Sequence, residues 1–127
     1  MSKPSVAIVG ASSDREKYGN KSIRAHLKHG YEVFPINPKG GTIEGLSVYR
    51  SLAELPNSSL DRISLYVSPD IGQQLLEQIA AIDCKELWFN PGSESEAVLD
   101  QARGLGLKPI VGCSIVDLGS WPDEFVS

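Results

Sequence analysis

Cysteine is scarce in this chain. Only Cys84 and Cys113 occur among 127 residues, too few for a disulfide framework. Long hydrophobic runs are missing too, and none approaches the roughly 18 apolar residues of a membrane span. There is no basic block. Twelve Lys and Arg stand against 16 Asp and Glu, for a formal net charge of −4. Nucleic-acid affinity rests on neutralising phosphates, so this balance argues against a general DNA or RNA binder. The start, Met1 to Ser5, leads straight into an apolar run without the pattern of a signal peptide. These absences set the expectation of a soluble, cytoplasmic protein with neither nucleic acid nor membrane as partner.

Catalytic patterns are equally thin. No G-x-S-x-G elbow occurs. His26 and His29 have no further ligand at metal spacing and read as surface or helix-end residues, so neither a catalytic set nor a metal site is expected. Cys84 reads as packing. Cys113 falls on the rim where a ligand thiol would be met, but it has no neighbouring His or Lys to lower its pKa and reads as inert. The dinucleotide fingerprint G-x-G-x-x-G is also broken: Gly10 is followed by Ala11-Ser12, and the second strand ends in Asn37 instead of the acid that grips an NAD ribose.

What is present is ordinary globular composition, 41% hydrophobic and 22% charged, over a length suited to one domain spanning 1–127. Val6–Val9, Tyr31–Ile36, Leu46–Tyr49, Ile63–Val67, Glu86–Phe89 and Pro109–Val111 read as strands. Between them lie helical stretches. One is capped by Asn20, carries Ile23 and Leu27 inward and stops at Gly30. Another opens on Ser68-Pro69, with Ile71, Leu75, Ile79 and Ile82 as its stripe. A third opens on a Ser93/Glu96 capping box, with Val98, Ala102 and Leu105 behind it. Ser51/Glu54 marks a further single turn. The tail from Cys113 to Ser127 is expected to pack through Trp121 and Phe125. Such alternation predicts an α/β, Rossmann-like doubly wound parallel sheet of about six strands in the order 3-2-1-4-5-6, with helices on both faces.

In such sheets a ligand binds beyond the carboxyl ends of the strands, at the switch point. The segments there are Gly10-Ala11-Ser12-Ser13 with Lys17, Tyr18 and Asn20, then Ile36-Asn37-Pro38-Lys39, Val67-Ser68-Pro69 and Asn90-Pro91-Gly92. Glycine lets backbone approach a phosphate, lysine supplies a point charge, and helix N-termini favour anions. These residues are the candidate cofactor site.

Six segments in order also carry a family resemblance: Val9-Gly10-Ala11-Ser12, Lys17-Tyr18-Gly19-Asn20, Ile36-Asn37-Pro38, Val48-Tyr49-Arg50-Ser51-Leu52, Val67-Ser68-Pro69 and Trp88-Phe89-Asn90-Pro91-Gly92-Ser93. Over about residues 5 to 115 the chain resembles the stand-alone CoA-binding proteins, relatives of the nucleotide-binding domain of succinyl-CoA synthetase alpha subunits. The resemblance implies a CoA pyrophosphate on Gly10, Ser12 and the following helix, and an adenosine site around Asn37, Pro38 and Lys39 with Val67 and Pro69 as its wall. Two positions depart from the family pattern: Ser68 stands where the family often has proline, and Asn90 where it has glutamine. The resemblance does not reach the phosphohistidine and ligase machinery of the synthetases. The expected function is binding of coenzyme A or an acyl-CoA by a non-catalytic carrier or regulatory module, with a protein partner or homo-oligomer admitted. The alternative is a small NAD(P)-dependent oxidoreductase or a CoA-dependent transferase component.

Overall fold

A strand covered on both faces and flanked on both edges has no side chain left for water, and Ser5–Val9 (β1) is buried at every residue. In the computed structural model, which describes residues 3–126, β1 is the second strand of a five-stranded sheet. Its neighbours are Glu32–Ile36 (β2) and Ser59–Leu65 (β5), both parallel to it. Asp83–Phe89 (β6) and Pro109–Val111 (β7) continue the sheet beyond β5, again in parallel. Met1, Ser2 and Ser127, the outer ends of the predicted start and tail, lie outside the described residues.

The helices divide between the faces. Tyr18–Lys28 (α1) covers one face through a cluster of Val6, Ile8, Ile23 and Val33. Pro69–Ala80 (α2) and Glu96–Gly104 (α3) cover the other through Leu76, Ile79, Val98 and Ala102 against Ala7, Val9, Ile63, Leu65 and Phe89. Crossovers leaving β1 and β5 on opposite faces put the switch point between those two strands.

The predicted third strand is reduced to one residue. Thr42–Ile43 (β3) and Leu46–Ser47 (β4) pair antiparallel with each other. Glu44 and Gly45, both at positive φ (50° and 77°), form the turn between them, the geometry a two-residue hairpin needs. The chain thus folds back on itself before it reaches the sheet. Only Tyr49 arrives beside β2, in a parallel bridge to Ile36. The edge place of the third strand in the predicted order is occupied by that bridge.

Several local expectations shift because a side chain finds a distant partner. Asn20 does not cap α1; Lys17 stands at the N-cap, and Asn20 is buried inside the first turn. Leu27 is exposed, and His26, expected at the surface, is fully buried. Its Nδ1 lies 2.8 Å from the Ser22 carbonyl and its Nε2 lies 3.4 Å from Nη1 of Arg62. Arg62 is itself buried on β5, ion-paired with Glu86 and Asp117 and stacked by Trp88 and Tyr31. In α2, Ile71 faces water, and Leu76 takes the core position beside Ile79. In the tail, Ser114–Asp117 (α4) follows β7, and Phe125 is buried against α1 while Trp121 is 63% exposed.

The cap of α3 is Ser95 in place of Ser93. Its side chain accepts from the Val98 amide at 3.1 Å, while buried Ser93 donates to the Asn90 carbonyl at 2.7 Å. Ser95→Ala is therefore expected to lower stability by about 1 kcal/mol, read as a lower urea midpoint. An unchanged midpoint would remove Ser95 from that role.

Candidate functional site

The turn after β1 is held from three directions. Gly10 has φ +89°, and its amide and that of Ala11 both donate to the Ile36 carbonyl at the end of β2, each at 3.2 Å. Asn37 donates through Nδ2 to the Ala11 carbonyl at 2.8 Å and accepts the Lys39 amide on Oδ1, also at 2.8 Å. Asn20 donates to the Ser12 carbonyl at 2.9 Å and to Glu44 at 3.2 Å. That second bond, with the Arg15–Glu44 pair at 3.3 Å, fastens the β3–β4 hairpin against the start of α1.

These ties enclose a cleft of about 400 Å3 at the carboxyl edge of β1 and β2. Its floor is Gly10 to Ser13, one wall is Asn37, Lys39 and Gly40, and Thr42, Ile43 and Tyr66 close the rest. Lys17 and Lys39 are the charged groups in this lining. Among the described residues, the Ser12, Ser13 and Tyr18 amides have no intramolecular acceptor. Two cations with unused amides at a helix start are the donor set an anionic phosphate requires. A hollow of about 460 Å3 also runs along the outer edge of β2, but among its lining residues Lys3 is the single cation and no glycine turn contributes.

Beside the cleft, and sharing Tyr66 with it, lies a cavity of about 230 Å3 lined by Tyr18, Tyr66, Asn90, Pro91, Cys113 and Pro122. A buried polar network supports it. Asn90 donates to Ser64 Oγ (2.7 Å) and to the Leu65 carbonyl (3.0 Å), and accepts from the Ser114 amide (2.9 Å) and hydroxyl (3.2 Å). Ser64 and Tyr66 hydroxyls also meet Ser114 Oγ, at 2.7 and 3.1 Å. Burial raises the Tyr66 pKa above its usual value, so its phenol stays protonated. Cys84 lies elsewhere on β6; burial pushes its thiol up to about 11, and it donates to the Glu86 carbonyl. It is inert at neutral pH.

Of the residues expected at the site, Gly10, Ala11, Ser12, Ser13, Lys17, Asn37 and Lys39 line the cleft, and Tyr18, Asn90 and Pro91 line the cavity. Asn20, Ile36, Pro38, Val67, Ser68, Pro69 and Gly92 line neither. Asn20 and Ile36 act behind the surface, through the bonds that shape the turn. Asn37 and Asn90 differ from expectation in what their amides do: each is bonded within the protein, so they shape the hollows more than they offer donors to a ligand. Ser68 serves as the α2 cap. Tyr66 is the residue that sequence reasoning passed over. β5 ends at Leu65, two residues earlier than a strand running on to Val67 would, which makes Tyr66 the first rim residue. Thr42 and Ile43 had no signal of their own, since only the hairpin brings them to the cleft.

Among the described residues no group of three or more His, Cys, Asp or Glu is placed to hold a metal ion, and no helix is long and apolar enough to cross a membrane.

Comparison with known proteins gives the same picture from a separate direction. ADP-forming acetate–CoA ligase I subunit alpha of Pyrococcus furiosus is 35% identical over 80 residues, covering 58% of this chain and 17% of that protein. A trans-feruloyl-CoA synthase from an unknown prokaryotic organism is 28% identical over 95 residues, 73% of this chain and 13% of its own length. The chain thus spans less than a fifth of each of these curated relatives. A solved structure of a conserved hypothetical protein from Pyrococcus furiosus superimposes with a TM-score of 0.81 at 38% identity, over 90% of this chain and 98% of that one. The family model described as a CoA binding domain matches residues 4–119. A match over that span, nearly the whole of the described chain, shows that the chain belongs to the CoA binding domain family.

Proposed function

We propose that this chain binds coenzyme A or an acyl-CoA at the carboxyl edge of its sheet, as a non-catalytic carrier or regulatory module working as a single domain. The observation that carries this reading is the cleft in which the Gly10–Ser13 turn meets Lys17 and Lys39. CoA fits the donor set: Lys17, the Ser12 and Ser13 amides and the start of α1 would face its pyrophosphate, and Lys39 with the Asn37–Gly40 wall would face its adenosine end. Among the described residues the cleft has no carboxylate or histidine in its lining to move a proton, which supports binding over catalysis. A relative that is itself a subunit supports action beside a protein partner.

Isothermal calorimetry and thermal shift with CoA, acetyl-CoA, NAD and NADP test the reading. CoA at 100 times its dissociation constant should stabilise the fold by about 2.7 kcal/mol. Stabilisation by NAD with none by any CoA species would overturn it. Lys39→Ala should weaken CoA roughly three- to fivefold at low salt and less at high salt, because an exposed charge is screened. An unchanged affinity at low salt would move the phosphates away from Lys39.

A further inference from the structure

The cavity beside the phosphate cleft has a character of its own. None of its six lining residues carries a formal charge. The Asn90 amide is bonded inward to Ser64, Leu65 and Ser114, and the Tyr66 hydroxyl to Ser114, while the half-exposed Tyr18 keeps its donors at the mouth. Two aromatic rings, two prolines and the Cys113 sulfur are what remain to meet an occupant. Of the cations near it, Arg62 is ion-paired with both Glu86 and Asp117, and Lys21 stands over the Tyr18 ring, 5.5 Å from its centroid. The volume, about 230 Å3, lies below the usual range for a whole drug-sized ligand.

We propose that this cavity is an acyl subsite that selects a short, uncharged acyl thioester and rejects dicarboxylic ones. The proposal rests on the CoA reading above, with the pantetheine arm passing from the cleft along Tyr66, the residue common to both hollows. Methylenes buried against Tyr18, Pro91 and Pro122 leave water at no polar cost. A terminal carboxylate in the same place would lose its hydration and find no cation in the lining to replace it. A long chain fills the space and must then run back into solvent, so added length beyond the cavity contributes nothing.

Calorimetry on the full chain with adenosine 3′,5′-bisphosphate, CoA, acetyl-CoA, butyryl-CoA, succinyl-CoA and decanoyl-CoA tests this directly. Butyryl-CoA should bind roughly three- to tenfold tighter than acetyl-CoA, from two further buried methylenes. Succinyl-CoA, with the same number of acyl carbons as butyryl-CoA, should bind at least about tenfold more weakly than it. Decanoyl-CoA should gain nothing over butyryl-CoA. Cys113→Phe, which fills the cavity, should bring the butyryl-CoA to CoA affinity ratio close to one; the ligand series on the natural chain stands even where that variant fails to fold. Succinyl-CoA binding as tightly as butyryl-CoA, while adenosine 3′,5′-bisphosphate and CoA still bind, overturns the acyl subsite alone. Failure of adenosine 3′,5′-bisphosphate and of every CoA species to bind overturns the CoA reading itself.

Discussion

Gly19→Ala is expected to cost about 3 kcal/mol of stability, at the upper end for adding one methyl group to a packed site. Gly19 sits in the first turn of α1, where an added Cβ would lie 2.2 Å from the Gly10 carbonyl oxygen and 3.4 Å from the Ala11 Cα. Both obstacles are backbone, and that backbone is fixed by the paired bonds to Ile36. The helix start has to withdraw from the strand end, and the mouth of the cleft opens with it. Gly104 supplies the control: it ends α3 with nothing within 4 Å of an added Cβ. There Gly104→Ala should be neutral or stabilising by a few tenths of a kcal/mol, since alanine narrows the unfolded ensemble. Urea midpoints of the two variants measure the difference directly. Equal midpoints would mean that α1 does not approach Gly10 as closely as described. Gly10→Val is a poor reporter on ligand binding for a related reason. Its Cβ would meet the Tyr66 carbonyl oxygen at 2.7 Å at a φ of +89°, so the fold suffers before any phosphate is excluded.

Acidification should cost a similar amount through His26. Burial, reinforced by the Arg62 guanidinium, holds this imidazole down to about 4, against roughly 6.5 in an unfolded chain. Between those values the unfolded state takes up a proton that the native state refuses. Stability contributed by His26 is therefore complete above about pH 6.5 and falls as pH drops toward 4, by about 3 kcal/mol in all at 1.36 kcal/mol per unit. The geometry supplies the cause: the ring is buried and one nitrogen faces a permanent cation, which together outweigh the Ser22 carbonyl that favours a proton on the other. The other groups around the ring are His29, Asp117 and, through Arg62, Glu86. His26→Gln keeps a donor for Ser22 and an acceptor for Arg62 without a titrating proton. Unfolding free energies from pH 7 to pH 4 should decline more steeply for the natural chain than for His26→Gln. Parallel curves would show that His26 is not the group responsible.

Legibility of this protein in its sequence followed the range of the interaction concerned. The alternation of strands and helices, the sheet order, the Ser68-Pro69 start of α2 and the turn after the first strand all rest on neighbours within a few positions, and each was readable there. The order of short rim segments was enough to point to CoA, and the family match bears that out. The polar side chains were another matter. Asn37 bonds to Ala11, His26 meets Arg62, and Asn90 bonds to Ser114, across separations of 26, 36 and 24 residues. Local pattern assigns such residues to caps, turns or surface, because it sees no partner for them. Once the sheet brings the partners together, a polar group can be buried at little cost, and it then belongs to the frame of the site.

By itself, then, the sequence determined the element types and their order in the sheet, and it pointed to the rim proposed here for a phosphate-bearing cofactor, since periodicity and turn chemistry are local. The tertiary structure alone decided that the predicted third strand folds into a hairpin wall, that Tyr66 joins two hollows, and that the second hollow carries no charge. Each of those depends on where segments far apart in the chain come to rest against one another, and packing in three dimensions is what sets that.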